Sequence, residues 1–122
     1  MFRLRVESKF SGAHKLVNYP GPCQRLHGHN WRIVLTVSSP ALNDLGMVID
    51  LMELKALLDQ CTQQFDHRFL NEIPPFNSLN PTSENLAKFV LEWMSGKLPD
   101  YVTVDRAEVF ENDDYCVTYS LE

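Results

Sequence analysis

Two alternating stretches, each ending on or beginning with histidine, constrain the fold of this chain more than any other feature. Phe2, Leu4, Val6, Ser8 and Phe10 alternate with Arg3, Arg5, Glu7 and Lys9, and His14 follows four residues later. Further on, His27-Gly28-His29-Asn30 leads into a second alternation. There Trp31, Ile33, Leu35 and Val37 share one parity, Arg32, Thr36 and Ser38 share the other, and Pro40 ends the run. A period of two marks a strand with one wet face. If the backbone is extended from His27, both imidazoles leave it on the same side with Gly28 between them. Antiparallel pairing of the two strands then brings His14 beside that pair.

Three neutral imidazoles around one vacant position describe a catalytic zinc site rather than a closed structural one. A histidine pair one residue apart is weakly specific by itself, since many such pairs are satisfied core or surface residues. The chain has only four histidines, however, and three fall on one hairpin. Cys23, four residues before His27, admits two roles. As a fourth ligand it would close the shell and make the metal structural. As a free thiol beside a cation it would ionise more readily than an ordinary cysteine. Spacing leaves both roles open.

The rest of the chain reads as an α+β sequence. Ser11-Gly12-Ala13 is a small-residue stretch expected to bend or bulge the first strand, and Asn18 to Cys23 is a proline-rich loop with the thiol at its exit. Asp50 caps a helix whose apolar positions are Leu51, Leu54, Leu58, Cys61 and Phe65. Asp66 and His67 follow it, either as a proton-transfer unit or as an ordinary helix C-terminus that welcomes a histidine. After a loop with three prolines between Glu72 and Pro81, Thr82 caps a second helix carrying Leu86, Phe89, Val90, Trp93 and Met94, stopped by Gly96 and Pro99. Two more strands, Tyr101 to Glu111 and Tyr115 to Leu121, flank the turn Asn112-Asp113-Asp114, with a parity shift near Asp105-Arg106 that suggests a bulge. Cys61 and Cys116 read as small core residues. The expected order is ββααββ: one four-stranded antiparallel sheet with two helices on one face, whose unpaired edges favour self-assembly.

At 122 residues and 44% hydrophobic content the chain suits one domain, residues 1–122. A net charge of -5 lacks the basic footprint of nucleic-acid binding. No apolar run reaches the ~20 residues of a membrane span, so no membrane partner is expected. The alternating start is unlike a signal peptide, and three cysteines without framework spacing fit a reducing cytoplasm.

Six segments together carry a family resemblance: Ser11-Gly-Ala-His14, Cys23-x-x-x-His27-Gly-His29-Asn30, Gly46-Met-Val-Ile-Asp50, Asp66-His67-x-x-Leu70-Asn71, Asn80-Pro-Thr-Ser-Glu-Asn-Leu-Ala87 and Val109-Phe-Glu111. In this order they resemble the 6-pyruvoyl-tetrahydropterin synthase family, and within it the short 6-carboxytetrahydropterin synthase branch of queuosine and 7-deazapurine biosynthesis. The match covers residues 8 to about 111. The resemblance implies the tunnelling fold, a hexamer made of two trimers, and active sites built between subunits. It implies zinc on His14, His27 and His29, with Cys23 as an unligated general base and Asp66 and His67 as its partners. Glu111 would anchor the guanidine-like edge of a pterin, with Thr82 and Ser83 in the pterin-contacting segment. The implied reaction converts 7,8-dihydroneopterin triphosphate to 6-carboxytetrahydropterin, acetaldehyde and triphosphate. Lys15 and Arg25, which flank the metal motif, are candidates for the triphosphate. Two alternatives stand beside it: 6-pyruvoyl-tetrahydropterin synthase activity at the same site, and a zinc-stabilised binding module without catalysis. One departure is visible, Asn112 where the family commonly has threonine.

Overall fold

The computed structural model describes residues 1–121. Strands β1 (Phe2–His14) and β2 (His27–Ser39) pair antiparallel without interruption from Phe2↔Ser39 to His14↔His27. No bulge interrupts the register at Ser11-Gly12-Ala13, and β1 pairs with β2 through it to His14. Gly12 is needed there for room. A Cβ there would stand 2.8 Å from Leu70 Cδ1 and 3.1 Å from the Phe10 ring, and the Trp31 indole N–H donates to Gly12 O at 3.1 Å. Gly12→Val should therefore overpack this corner and cost about 1–3 kcal/mol of stability. Urea denaturation of the variant checks this, and an unchanged midpoint would contradict it.

The sheet has five strands in the order β3-β1-β2-β4-β5 and is mixed, which corrects the expectation of four antiparallel strands. Strand β3 (Arg68–Phe69) lies parallel to β1 at Gly12 and Ala13. Two residues are too short to show any periodicity, so the sequence pattern could not reveal it. Strand β4 (Thr103–Phe110) continues the sheet beside β2. The parity shift is a bulge at Asp105, because Thr36 pairs with Arg106 while Val37 pairs with Val104. Asp105 Oδ1 accepts a hydrogen bond from Ser38 Oγ at 2.7 Å. Strand β5 (Cys116–Tyr119) forms the far edge. Cys116 is exposed, contrary to the expectation of a core cysteine. Its register partner Phe110 shares the outer parity, and the helices lie against the other face.

Helix α1 (Leu51–Gln63) begins as expected, with Asp50 Oδ1 accepting from Met52 N at 2.8 Å. It buries Leu54, Leu58 and Cys61, while Leu51 is exposed and Phe65 is buried just beyond the helix end. Helix α2 (Ser83–Ser95) is capped by Thr82, whose Oγ1 accepts from Asn85 N at 3.1 Å. Leu86, Val90, Leu91 and Met94 are its buried stripe; Phe89 and Trp93 pack at the margin. Both helices cover the face of the sheet that carries Val6, Phe10, Trp31, Ile33, Leu35 and Val37. Phe10 and Trp31 stack with centroids 5.7 Å apart. One polar side chain on that face is fully provided for: Ser8 Oγ donates to Asp59 Oδ1 at 2.6 Å and lies 2.8 Å from Thr62 Oγ1, fixing α1 against β1. Among the described residues no helix is long and apolar enough to cross a membrane.

Candidate metal centre and its surroundings

Strand register assembles the centre. His14 lies opposite His27, and His29 follows two residues later, so all three rings leave the helix-covered face at one end of the sheet. Ring centroids are 4.5 Å apart for His14 and His27, 5.1 Å for His14 and His29, and 4.8 Å for His27 and His29. Trp31 is next on the same parity and meets both His14 and His29 edge-on, at 4.9 and 5.1 Å. One nitrogen from each imidazole falls within 4.8 Å of the others. The core stripe of β2 thus ends in a nitrogen cluster floored by an indole.

Two rings are oriented by main-chain carbonyls. His14 Nδ1 lies 2.8 Å from Pro81 O, and His27 Nδ1 lies 2.7 Å from Arg25 O. A carbonyl can only accept, so each Nδ1 carries the proton and each Nε2 keeps its lone pair. His14 Nε2 and His29 Nε2 are buried without any hydrogen-bond partner. An orphaned buried nitrogen is costly unless something binds it. Three imidazoles, two with carbonyl-fixed tautomers and two with orphaned nitrogens, fit a single metal ion held by nitrogen.

Burial pushes the pKa of His14 down, assisted by the neighbouring imidazoles and opposed by the Pro81 carbonyl and Glu111. His29 is likewise lowered, first by burial and then by His27, against the pull of Glu111. Neutral rings at neutral pH are ready ligands. In metal-free protein the unfolded chain regains ordinary imidazoles, so it binds more protons than the folded chain between the lowered values and 6.5. Stability should therefore fall as pH drops through 6.5 and stop falling below the folded values. Denaturation midpoints of metal-free protein at pH 7.5 and 5.5 test this; equal midpoints would contradict it.

Glu111 follows β4 on the parity of Val109 and so faces the same side as the imidazoles. Its Oε2 is 3.8 Å from His29 Nε2, and Ser83 Oγ donates to its Oε1 at 2.5 Å. Ser83 is buried at the first turn of α2, where a carboxylate is favourably placed. Thr82 serves as the cap of that helix. Asn112 takes up the turn that follows, accepting from Asp114 N at 2.9 Å.

The other candidates lie farther out. Cys23 is half-buried in a 3-10 turn, Pro22–Gln24, and does not join the nitrogen cluster. Asp66 and His67 do touch, with 3.0 Å between Oδ2 and Nδ1. Asp66 Oδ1 accepts from Ser11 N at 3.0 Å and His67 N–H donates to Ser11 O, so the pair is fixed to the edge of β1 just before its pairing with β3. The hydrogen bond from Ser11, followed by that from His67, holds the Asp66 carboxyl below the usual range. The His67 ring is exposed, and its backbone φ of 57° puts it in the left-handed region, in the turn between α1 and β3. Lys15 and Arg25 are exposed on either side of the loop. Sequence reasoning missed the carbonyls of Pro81 and Arg25, because a main-chain acceptor has no residue-type signature. Ser83 bonding Glu111 was a segment-level expectation without a partner.

Comparison with known proteins gives a consistent family and divergent activities. Residues 3–122 match the family model described as 6-pyruvoyl tetrahydropterin synthase. The 6-carboxy-5,6,7,8-tetrahydropterin synthase of Synechocystis sp. is 37% identical over 105 residues, 82% of this chain and 77% of the relative. The human 6-pyruvoyl tetrahydrobiopterin synthase is 31% identical over 122 residues, 97% of this chain and 83% of the relative. A dihydroneopterin monophosphate aldolase from Pyrococcus furiosus is 30% identical over 117 residues, 94% of both. In fold, the Caenorhabditis elegans 6-pyruvoyl tetrahydropterin synthase superposes with a TM-score of 0.87 at 24% identity, over 99% of this chain and 96% of that one.

Proposed function

Because this chain belongs to the 6-pyruvoyl tetrahydropterin synthase family, we propose that it is a zinc-dependent lyase acting on 7,8-dihydroneopterin triphosphate. With one water consumed, the proposed products are 6-carboxy-5,6,7,8-tetrahydropterin, the product named for the Synechocystis relative, together with acetaldehyde and triphosphate. The observation that carries the reading is the cluster of three imidazoles, two with orphaned ring nitrogens, facing the Glu111 carboxylate that Ser83 holds against the start of α2. His14, His27 and His29 would hold the zinc. When bound, zinc supplies Lewis-acid polarisation of the side-chain hydroxyls, which acidifies the neighbouring carbon-bound protons.

The chain's own residues supply the rest. Glu111 accepts paired hydrogen bonds from the guanidine-like edge of the pterin, with Ser83 orienting its carboxylate. Thr82 holds the helix start that presents them. Cys23 removes a proton from the substrate side chain, and Asp66 with His67 relays it. The exposed His67 ring, outside the nitrogen cluster, suits service to a neighbouring subunit's site in a cytoplasmic hexamer of two trimers. Lys15 and Arg25 are the proposed contacts for the triphosphate.

The fate of the side chain tests this reading. Zinc-loaded protein is incubated with 7,8-dihydroneopterin triphosphate, the pterin identified by mass spectrometry and acetaldehyde assayed. A 6-carboxy product with acetaldehyde is expected. A 6-pyruvoyl product without acetaldehyde would move the reaction to that named for the human relative, and conversion of dihydroneopterin monophosphate alone to that of the Pyrococcus relative. No conversion of either substrate would remove the catalytic reading.

A further inference from the structure

The loop between β1 and β2 is held in an unusual way. Beyond His14 the chain leaves β1 at Lys15 and Leu16 and enters a turn at Val17 and Asn18, where Asn18 has a φ of 61°. Asn71 Oδ1 accepts from Lys15 N at 3.0 Å, and Asn71 Nδ2 donates to Lys15 O at 3.0 Å. Two residues on, Asn80 Oδ1 accepts from Val17 N at 3.0 Å and Asn80 Nδ2 donates to Val17 O at 3.4 Å. Each side-chain amide thus carries out the two-way exchange that a peptide group of an adjacent strand would make. Leu16, on the opposite side, donates its N–H to Cys23 O at 2.7 Å.

Register explains Asn71. Strand β3 pairs Gly12 with Arg68 and Ala13 with Phe69, so Asn71 comes level with Lys15 where the main chain has already turned into the 3-10 turn Leu70–Glu72. Its side chain takes over the ladder that the backbone has left. Asn80 is fixed from behind, its carbonyl accepting from Thr82 N at 2.8 Å and Asn85 Nδ2 at 2.8 Å. The next carbonyl, of Pro81, orients His14, and Ser83 holds Glu111. One four-residue segment therefore touches the loop of Cys23, a candidate metal ligand and the candidate pterin anchor.

We propose that Asn71 and Asn80 are positioning residues for the Cys23 thiol, acting through Lys15, Leu16 and Val17, a segment whose main chain is held by side-chain amides where β1 has ended. The proposal rests on the reading of Cys23 as the base given above. Without the two amides, the main-chain groups of Lys15 and Val17 bond to water instead. The strip that grips Cys23 through Leu16 then moves as a free loop.

Asn71→Ala, Asn80→Ala and the double variant are made in a Cys116→Ser background, which leaves Cys23 as the accessible thiol. Cys61 is buried and its thiol is pushed up to about 12, so it does not compete. On zinc-loaded protein we measure zinc content, kcat and KM, the rate of Cys23 alkylation by iodoacetamide, and amide exchange across residues 15–23. Zinc is expected to stay at the parental level while kcat falls about tenfold in each single variant and about 100-fold in the double, as misplacement of a reacting group does. KM should move far less, and alkylation and exchange should both quicken. A double variant with kcat, alkylation and exchange at parental values overturns the proposal, as does a loss of kcat that merely follows lost zinc. If the alanine variants do not fold, Asn71→Asp and Asn80→Asp keep the acceptor and lose the donor, and the same readouts should shift by a smaller factor; no shift overturns the proposal. Cys23→Ala serves as the control: parental turnover in it removes the base assignment, while exchange across residues 15–23 still judges the two asparagines.

Discussion

His27→Ala is expected to empty the metal centre and abolish turnover while leaving the fold in place. The ring is half-buried at the start of β2, so its removal opens no cavity in the core, in contrast to His14, which is almost wholly enclosed. Losing a hydrogen-bond partner of a metal ligand typically costs ~10–100-fold in metal affinity, and losing the ligand should cost more. His29→Ala should behave alike. Metal analysis after gel filtration, with circular dichroism as the control for folding, reads the result. Full zinc in either variant would refute the three-imidazole assignment.

Cys23→Ala should give the opposite pattern. The variant is expected to fold, to bind zinc at the parental level and to lose ~10²–10⁴-fold in kcat, the range that a positioned general base contributes. The contrast separates the two roles open to Cys23 from the sequence. A fourth ligand would take zinc with it when removed, whereas a base would not. The half-buried position of Cys23, outside the nitrogen cluster, favours the second outcome. Parental turnover in Cys23→Ala would contradict the assignment, and loss of zinc would move the site to the structural class.

The nitrogen cluster was legible in the sequence because it depends only on parity. Two alternating runs fix which side chains share a face, and a hairpin fixes which ends meet, so His14, His27 and His29 could be grouped from spacing. The helix caps at Asp50 and Thr82 were legible for a similar reason, since local chemistry decides them. What the sequence hid was non-local or too short. Gly12 looks like a strand breaker, yet it is a residue of β1 that must be small, because Leu70 and Trp31 come in from elsewhere in the chain beside the Phe10 ring of the same strand. Arg68 and Phe69 add a fifth, parallel strand with only two residues. Cys116 is apolar enough for a core, but its parity on β5 turns it outward. Asn71 and Asn80 read as loop residues because their partners, Lys15 and Val17, lie over fifty residues away.

The proposed centre is open, with three nitrogen ligands and one position left for substrate. X-ray absorption at the zinc edge of the loaded protein tests it most directly. Three imidazole nitrogens and one further nitrogen or oxygen ligand at about 2.0–2.1 Å are predicted. A sulfur ligand at about 2.3 Å would show Cys23 in the shell, close the site and contradict the account.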